Sequence, residues 1–160
     1  MRTCLFPGTF DPITLGHTDI IDRGLGLFDR LVVGIGTNSS KSPMFSLEER
    51  MEWIREIYKN DPRVEVAAYQ GLTINFCKEI GANFILRGIR YVSDFEYEKA
   101  IADVNRTIAP DIETIFLTTT PQYSSVASTL VRDIFRHGGD VQPFLHKVVL
   151  EGIQQHKRSL

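Results

Sequence analysis

Residues 6–17 read FPGTFDPITLGH, and this stretch leads from a short apolar segment through a Pro- and Gly-containing turn into a predicted helix. The preceding residues 3–6 are typical of a buried strand. Thr14 is suited to cap the helix, Gly16 lets a ligand approach the backbone, and His17 falls one turn inside with its ring directed inward. The stretch therefore predicts a strand, a loop and a helix start whose free N–H groups can bind an anion.

The same order of elements continues along the chain. Five short apolar or β-branched runs alternate with segments whose apolar residues have helical spacing. This alternation predicts an α/β fold, a single-domain Rossmann-like doubly wound sheet of five parallel strands that spans residues 1–160. We predict strands at 3–6, 31–35, 64–68, 84–86 and 114–117, short helices at 73–80 and 128–136, and a last helix from about Gln142 to His156.

Composition limits the classes of function. The 160 residues include 18 Lys and Arg against 20 Asp and Glu, a formal charge of −2, which argues against a nucleic-acid binder. The apolar stretch at the amino terminus is too short for a signal peptide or a membrane span, so we expect a cytoplasmic protein. No GxxxxGK[ST] motif is present, and Ser39 stands where a dinucleotide fingerprint starting at Gly34 needs its third glycine.

Phosphate-binding groups follow four of the five predicted strands. Ligands of open parallel sheets bind beyond the carboxyl ends of the strands, where these loops gather. Lys41, Arg87 and Arg90 taken one by one read as solvated or surface-paired cations, but their expected convergence with His17 points to a site for anionic substrates. The loops in question are 7–12, 37–41, 87–90 and 118–129, whereas the loop 69–73 is neutral.

Several motifs carry a likeness to a known family. The stretch 6–17 resembles the signature of the nucleotidyltransferase superfamily. The sequences SKSPMF at 40–45, RGIR at 87–90 with DFEYE at 94–98, and STLVR at 128–132 together look like the bacterial phosphopantetheine adenylyltransferase family. The likeness extends from Phe6 to about Phe144. It implies direct in-line transfer of AMP from ATP to 4′-phosphopantetheine, which yields dephospho-CoA and pyrophosphate.

The resemblance also implies roles for individual residues. His17, Lys41 and Arg90 would be catalytic, with His17 at the α-phosphate. The residues expected to hold 4′-phosphopantetheine are Thr9, Lys41, Thr73 and Arg87. Those expected to bind ATP are Thr9, Phe10, His17, Gly88, Ile89, Arg90, Glu98, Tyr123, Ser124, Ser125, Val126, Ala127, Ser128 and Thr129.

Two positions depart from the family's usual pattern. Ala127 removes a hydroxyl from the serine-threonine loop, which leaves only a backbone contact at that position. Thr73 stands where relatives are often apolar, so its contact is expected through the backbone.

Ser128 and Thr129 lie at a predicted helix N-terminus and can bind the β- and γ-phosphates of ATP.

The resemblance further implies a cofactor and partners. Mg²⁺ would be held mainly by the ATP phosphates and water, because the sequence shows no dedicated acidic cage. We expect no protein metal ligands. Kinship also implies a homohexamer and feedback inhibition by CoA, with no nucleic-acid or membrane partner.

Two other functions fit part of the sequence. A sister nucleotidyltransferase with another acceptor, such as nicotinate mononucleotide or a glycerol phosphate, would keep residues 14–17 and the serine-threonine loop. The contexts of Lys41 and Arg87 favour phosphopantetheine instead. A non-catalytic nucleotide-sensing module is disfavoured because His17, Lys41 and Arg87 are all present.

Overall fold

The computed structural model describes residues 1–37 and 42–159. Across these residues five parallel strands form one sheet in the order β3-β2-β1-β4-β5, which confirms the predicted α/β class and parallel sheet. The strands are β1 (Thr3–Gly8), β2 (Arg30–Gly36), β3 (Val64–Tyr69), β4 (Phe84–Ile89) and β5 (Glu113–Thr118). The helices are α1 (Leu15–Gly24), α2 (Leu47–Ile57), α3 (Thr73–Ile80), α4 (Val92–Ile108), α5 (Ser128–Arg136) and α6 (Lys147–Ser159).

The strand order reverses between β1 and β4. Strands β1 to β3 proceed towards one edge of the sheet, and the chain then returns to place β4 on the other side of β1. In doubly wound sheets the loops diverge at such a point and leave a crevice beyond the carboxyl ends of the strands. The loops after β1 and β4 therefore flank the expected ligand site.

The central strands β1 and β2 are buried on both faces of the sheet, whereas the edge strands β3 and β5 are partly exposed. In β1 the side chains of Cys4 and Phe6 join one apolar cluster, whereas that of Leu5 joins a second. This alternation follows from the pleat, which points successive side chains to opposite faces. Residues of α1, α2, α5 and α6 complete the first cluster, and residues of α3 together with Ile112 belong to the second.

Local signals fix several helix ends. The Ser46 N–H donates to Glu49 Oε2 at 2.8 Å and the Glu49 N–H donates to Ser46 Oγ at 3.1 Å, which is the predicted capping box of α2. Gly81 ends α3 with φ +68°, a left-handed conformation that favours glycine. The predicted limits of α3 and α5 match the structure.

The last helix begins later than predicted. Residues Gln142–Phe144 form a 3₁₀ turn, Leu145 is extended with φ −127° and ψ 147°, and the α-helix starts only at Lys147. The Val148 N–H donates to His146 Nδ1 at 3.2 Å, so the imidazole takes the part of a capping side chain. The prediction of a start near Gln142 was wrong because apolar spacing alone could not separate a 3₁₀ turn from the helix that follows it.

Candidate active site

A cavity of about 930 Å³ opens at the carboxyl ends of β1 and β4. Gly16, Ser93 and Ser128, each in the first turn of a helix, line it, so the N-termini of α1, α4 and α5 meet at one space. Helix N-termini carry unpaired N–H groups and a partial positive charge. The fold thus builds a cavity suited to an anionic ligand at the place where the strand order predicted a ligand site.

Most of the predicted site residues surround this cavity. The loops that carry them are remote in sequence, and they meet because the carboxyl ends of the parallel strands lie at the same edge of the sheet. The predicted residues that line the cavity are Thr9, Phe10, His17, Arg87, Gly88, Arg90, Glu98, Val126, Ala127, Ser128 and Thr129.

His17 is held in one orientation by its own helix. Its ring packs edge-on against Phe10, with 5.0 Å between ring centroids, and its Nδ1 accepts the backbone N–H of Thr14 at 3.0 Å. Thr14 is the N-cap residue of α1, and its hydroxyl lies 3.0 Å from the same Nδ1. Because a backbone N–H can only donate, Nδ1 is the acceptor and the neutral ring carries its proton on Nε2.

The surroundings of His17 keep the imidazole uncharged. Desolvation, with smaller contributions from the positive charges of Arg87 and Arg90, lowers the pKa of His17 to about 4. Near neutral pH the residue is therefore a neutral Nε2–H donor. A donor of this kind can bind a phosphate oxygen without adding a charge to the site.

The turn after β1 has an unusual backbone. Phe10 is 2% exposed and adopts φ +49°, in the left-handed region that few non-glycine residues occupy. A Cβ on Gly8 would lie 2.9 Å from the Phe10 ring, so only glycine lets the ring fold back over the strand end. The turn carries Thr9 to the mouth of the cavity.

Two arginines from the end of β4 form ion pairs with α4. Arg87 Nε donates to Glu98 at 2.7 Å, its Nη2 donates to the other carboxylate oxygen, and its Nη1 donates to the carbonyl of Pro7 at 2.6 Å. Arg90 Nε donates to Asp94 at 3.1 Å. A phosphate that binds either arginine must compete with a carboxylate.

A smaller cavity of about 560 Å³ adjoins the first. Thr9, Arg87 and Glu98 line both cavities, so the Arg87–Glu98 pair stands where the two meet. Thr73 lines the smaller cavity, and its hydroxyl lies 3.0 Å from the Tyr69 hydroxyl. Of the described residues predicted for the acceptor, Thr73 lines the smaller cavity alone, whereas Thr9 and Arg87 line both.

The N-terminus of α5 is joined to the loop after β1. Ser128 Oγ donates to the Pro12 carbonyl at 2.8 Å, and Arg132 Nη1 donates to the Asp11 carbonyl at 2.7 Å. Arg132 Nη2 lies 3.3 Å from Thr129 Oγ1. These bonds set the serine-threonine segment against the first motif.

Some predicted residues lie elsewhere. Lys41 is outside the described residues. Ile89 is buried at the end of β4 and its carbonyl accepts the N–H of Thr119 at 2.9 Å. The residues Tyr123, Ser124 and Ser125 belong to or follow a 3₁₀ turn and, like Ile89, do not line either cavity.

Other cavity residues were missed at the level of sequence. Arg132 and Arg136 line the larger cavity one and two turns after Ser128, and their spacing of four residues places them on one face of α5. That spacing could have identified them. Asp11 and Thr119 also line this cavity and belong to the predicted loops 7–12 and 118–129, although neither was singled out, whereas nothing in the local sequence of Tyr97 indicates its place there.

The carboxylates of the larger cavity are committed to protein donors. Asp11 accepts the N–H groups of Met44 and Phe45, Asp94 is bonded to Arg90, and Glu98 is bonded to Arg87. No group of three or more His, Cys, Asp or Glu residues within 1–37 and 42–159 could hold a metal ion. Over the same ranges, no helix has both the length and the apolar character required to cross a bilayer.

Comparison with known proteins agrees with this architecture. The cytidylyltransferase-like family model matches residues 5–134, a range that begins within β1 and ends within α5. The chain is 52% identical over 149 residues to a phosphopantetheine adenylyltransferase of Flavobacterium psychrophilum, a match that covers 93% of this chain and 98% of the relative. It is 54% identical over 142 residues to a phosphopantetheine adenylyltransferase of Flavobacterium johnsoniae, over 89% of this chain and 93% of the relative.

These matches extend through the strand, turn and helix segments that form the two cavities. The chain therefore belongs to the cytidylyltransferase-like family and, within it, to the phosphopantetheine adenylyltransferases.

Proposed function

We propose that this protein transfers the AMP group of ATP to 4′-phosphopantetheine, giving dephospho-CoA and pyrophosphate as a step of coenzyme A biosynthesis. One observation supports this above all: two cavities meet at Thr9 and the Arg87–Glu98 pair, and a neutral His17 lines the larger one. A transfer between two phosphorylated substrates needs two such spaces with a shared boundary, because the reacting atoms must approach within about 3–3.5 Å.

The larger cavity is the proposed nucleotide site. Four arginines and three carboxylates line it, and three helix N-termini add partial positive charge. Arg90, Ser128 and Thr129 are proposed to bind the triphosphate, with Arg132 and Arg136 as further cations on α5. The volume of about 930 Å³ is large for a small-molecule site and is in keeping with a nucleoside triphosphate.

The smaller cavity is the proposed site of the acceptor. Arg87 at its mouth supplies charge for the phosphate of 4′-phosphopantetheine, and Lys41 is proposed to assist. Elsewhere in the lining of this cavity, Asn105 offers an amide and Ile101 offers apolar surface. This combination is suited to a pantetheine arm, which has both amide groups and hydrocarbon segments.

The chemistry follows from these positions. An ionised oxygen of the acceptor phosphate attacks the α-phosphorus of ATP, the new P–O bond forms, and the bond to pyrophosphate breaks. No general base is required, since the nucleophile is already deprotonated. His17 donates from Nε2 to an α-phosphate oxygen and contributes to the extent that this bond strengthens in the transition state.

Magnesium is proposed to arrive with the ATP phosphates, because Asp11, Asp94 and Glu98 are bonded to protein donors. The ion would supply charge neutralisation between the phosphates of ATP. The protein's own residues then bind the outer oxygens and hold the two substrates in line.

A homohexamer is proposed as the working assembly. Helix α4 has no buried residue in the isolated chain, and apolar side chains along it are exposed, among them Val104 at 58% and Ile108 at 53%. Exposed apolar stripes of this kind mark protein contacts, and further copies of the same chain are the proposed occupants. Sedimentation equilibrium should give six chains per particle, whereas a monomer would refute the assembly.

Feedback inhibition by CoA is also proposed, because CoA shares the pantetheine arm that the smaller cavity would accept. The proposed compartment is the cytoplasm, where ATP is available. Competition between CoA and 4′-phosphopantetheine in steady-state kinetics would test the first of these two proposals.

A substrate panel tests the proposed function. The purified protein is incubated with ATP, Mg²⁺ and one acceptor at a time, and pyrophosphate release is measured with mass spectrometry of the product. We expect turnover with 4′-phosphopantetheine and none with nicotinate mononucleotide or glycerol 3-phosphate. Turnover with nicotinate mononucleotide alone would refute the proposed acceptor, and no turnover with any acceptor would favour a nucleotide-sensing module.

A further inference from the structure

Two buried charged residues, Asp11 and Arg50, connect the turn after β1 with the segment that enters α2. Each is only 4% exposed. The carboxylate of Asp11 accepts the backbone N–H of Met44 at 2.8 Å through Oδ2 and that of Phe45 at 2.9 Å through Oδ1. Arg132 Nη1 lies 3.8 Å from Oδ2. A buried carboxylate with two backbone donors and a nearby cation fixes the distance between the segments that it joins.

Arg50 joins the same two segments, but its side chain extends from α2 to the turn. From the first turn of α2, its Nη1 donates to the Thr9 carbonyl at 2.7 Å, and its Nε lies 3.1 Å from the Phe45 carbonyl and 3.2 Å from that of Ser46. Burial lowers the pKa of the guanidinium, and the negative charge of Asp11 counteracts that shift. The two segments are thus bonded by an acceptor on one side and a donor on the other.

These bonds end at residues that face the substrate cavities. Thr9, whose carbonyl Arg50 holds, lines both cavities, and the next residue, Phe10, has φ +49°. A non-glycine residue keeps this conformation only when its surroundings determine it. On the other side, Ser42 and Pro43 line the larger cavity just before the amides that Asp11 binds.

We propose that Asp11 and Arg50 are positioning residues for adenylyl transfer: they fix Thr9 relative to the segment 42–45, and thereby align the two substrates. Neither residue needs to contact a reacting atom in this role. The inference rests on the proposed function, since it assigns these residues to the alignment of ATP with 4′-phosphopantetheine.

Kinetics of three variants test the inference. Arg50→Met keeps most of the side-chain volume but removes all donors, Arg50→Lys keeps the charge and one donor group, and Asp11→Asn can accept only one of the two amides. Ile112→Ala is the matched control, because Ile112 is 4% exposed in the other apolar cluster and lies outside both cavities. All are assayed for pyrophosphate release at a temperature at which circular dichroism shows them folded.

We expect kcat to fall about 10- to 100-fold in Arg50→Met and Asp11→Asn, because misplacement of a substrate by about 1 Å can cost on the order of 10²-fold in rate. The affinity of these two variants for ATP alone, measured by calorimetry, should stay within about threefold of that of the wild type. Arg50→Lys should recover part of the lost rate. Ile112→Ala should lose thermal stability and keep its kcat.

The outcomes separate this inference from the proposed function. A wild-type protein without adenylyl transfer refutes the proposed function. A wild type that is active, together with a folded Arg50→Met of equal kcat, overturns the positioning role and leaves the function intact. If Arg50→Met does not fold, Asp11→Asn and Arg50→Lys take its place, and a kcat equal to wild type in both overturns the inference. The inference is also overturned if the control Ile112→Ala loses as much kcat as the variants of Asp11 and Arg50.

Discussion

Two of the walls of the larger cavity, the one from β1 and α1 and the one from β4 and α4, differ in charge and in bonding. The wall from β1 and α1 is called the neutral wall because its central side chain is the uncharged His17: Phe10 packs on His17, and Thr14 fixes the imidazole through Nδ1. The wall from β4 and α4 consists of the partly exposed pairs Arg87–Glu98 and Arg90–Asp94. The side chains of the neutral wall are fixed in the substrate-free protein, whereas in the proposed function the arginines of the other wall exchange carboxylates for substrate phosphates.

This difference suggests a division of roles. A fixed neutral donor is suited to the charge that develops during transfer, since it needs no rearrangement at that moment. Exchangeable ion pairs are suited to bind substrates, since a phosphate can replace a carboxylate at about equal charge. Substitutions on the first wall should therefore act on kcat, and those on the second on binding.

The largest effect is expected from His17→Ala. Loss of one donor to a developing oxyanion costs roughly 2.7–4 kcal/mol, or about 10²–10³ in kcat. The affinity for ATP should change little, because the bond strengthens mainly in the transition state. Steady-state pyrophosphate release and calorimetry with ATP provide the two measurements.

His137→Ala is the matched control for that substitution, since His137 is exposed and its Nδ1 contacts only its own helix at the Asp133 carbonyl, 2.9 Å away. Its kinetics should equal those of wild type. If His17→Ala weakened ATP binding as much as it lowered kcat, His17 would bind ATP as strongly in the ground state as in the transition state. The proposed difference between a wall that acts on kcat and a wall that acts on binding would then be wrong.

Acid should lower the free energy of unfolding through the protonation of His17. The pKa of His17 is about 4 in the folded protein, against 6.5 for the free side chain, so the unfolded chain binds more protons between these values. The stability that neutral His17 contributes is fully present above about pH 6.5 and is lost as the pH falls towards 4. From pH 7.5 to 4 this loss amounts to about 3 kcal/mol.

Urea unfolding of wild type and His17→Asn at both pH values isolates this contribution. Carboxylates titrate in the same range in both proteins, so the difference between the two acid losses reports His17. The wild type should lose about 3 kcal/mol more than the variant. Equal losses would mean that the imidazole is solvated and titrates normally, which would remove the basis for a fixed neutral donor.

The neutral wall was the more predictable of the two from sequence. The turn, the cap and the position of His17 lie within twelve consecutive residues, and local spacing determines them. The five strands and the limits of α3 and α5 could be predicted for the same reason, because apolar runs and helix-ending residues such as Gly81 act locally.

The charged wall needed the folded chain. Sequence placed Arg87 and Glu98 near different substrates, but α4 runs back along β4 and brings the two side chains into one ion pair. Likewise, the bond from Arg50 to the Thr9 carbonyl joins residues 41 positions apart. Such pairings depend on the order of the strands and on helix packing, which the spacing of residues along the chain does not contain.

A binding effect is expected from Arg87→Met on the charged wall. Hydrogen bonds to charged groups are worth about 1.5–3 kcal/mol, so the dissociation constant of 4′-phosphopantetheine should rise roughly 10- to 150-fold. The dissociation constant of ATP should change less, because Arg90 and α5 provide other contacts in the larger cavity. Calorimetric titration with each ligand separately measures both constants.

Arg63→Met is a suitable control for Arg87→Met. Arg63 also forms an ion pair, with Asp61 at 2.7 Å, but its side chain is 48% exposed and lines neither cavity. Binding of both ligands should stay at wild-type levels in this variant. Should Arg87→Met weaken ATP more than the acceptor, the assignment of the two cavities would have to be reversed.

The smallest effect, and the sharpest test of exchange at the charged wall, is expected from Glu98→Gln. The substitution keeps the shape of the side chain and removes the charge that competes with the acceptor phosphate for Arg87. Because a partly exposed pair of this kind is worth about 0.2–1 kcal/mol, 4′-phosphopantetheine should bind about 1.4- to 5-fold more tightly at low salt. The gain should shrink as salt is added, since screening weakens the competition in the wild type. Weaker binding instead would mean that Glu98 orients Arg87 for the phosphate. The side chains of the charged wall would then be fixed before the substrate binds, like those of the neutral wall.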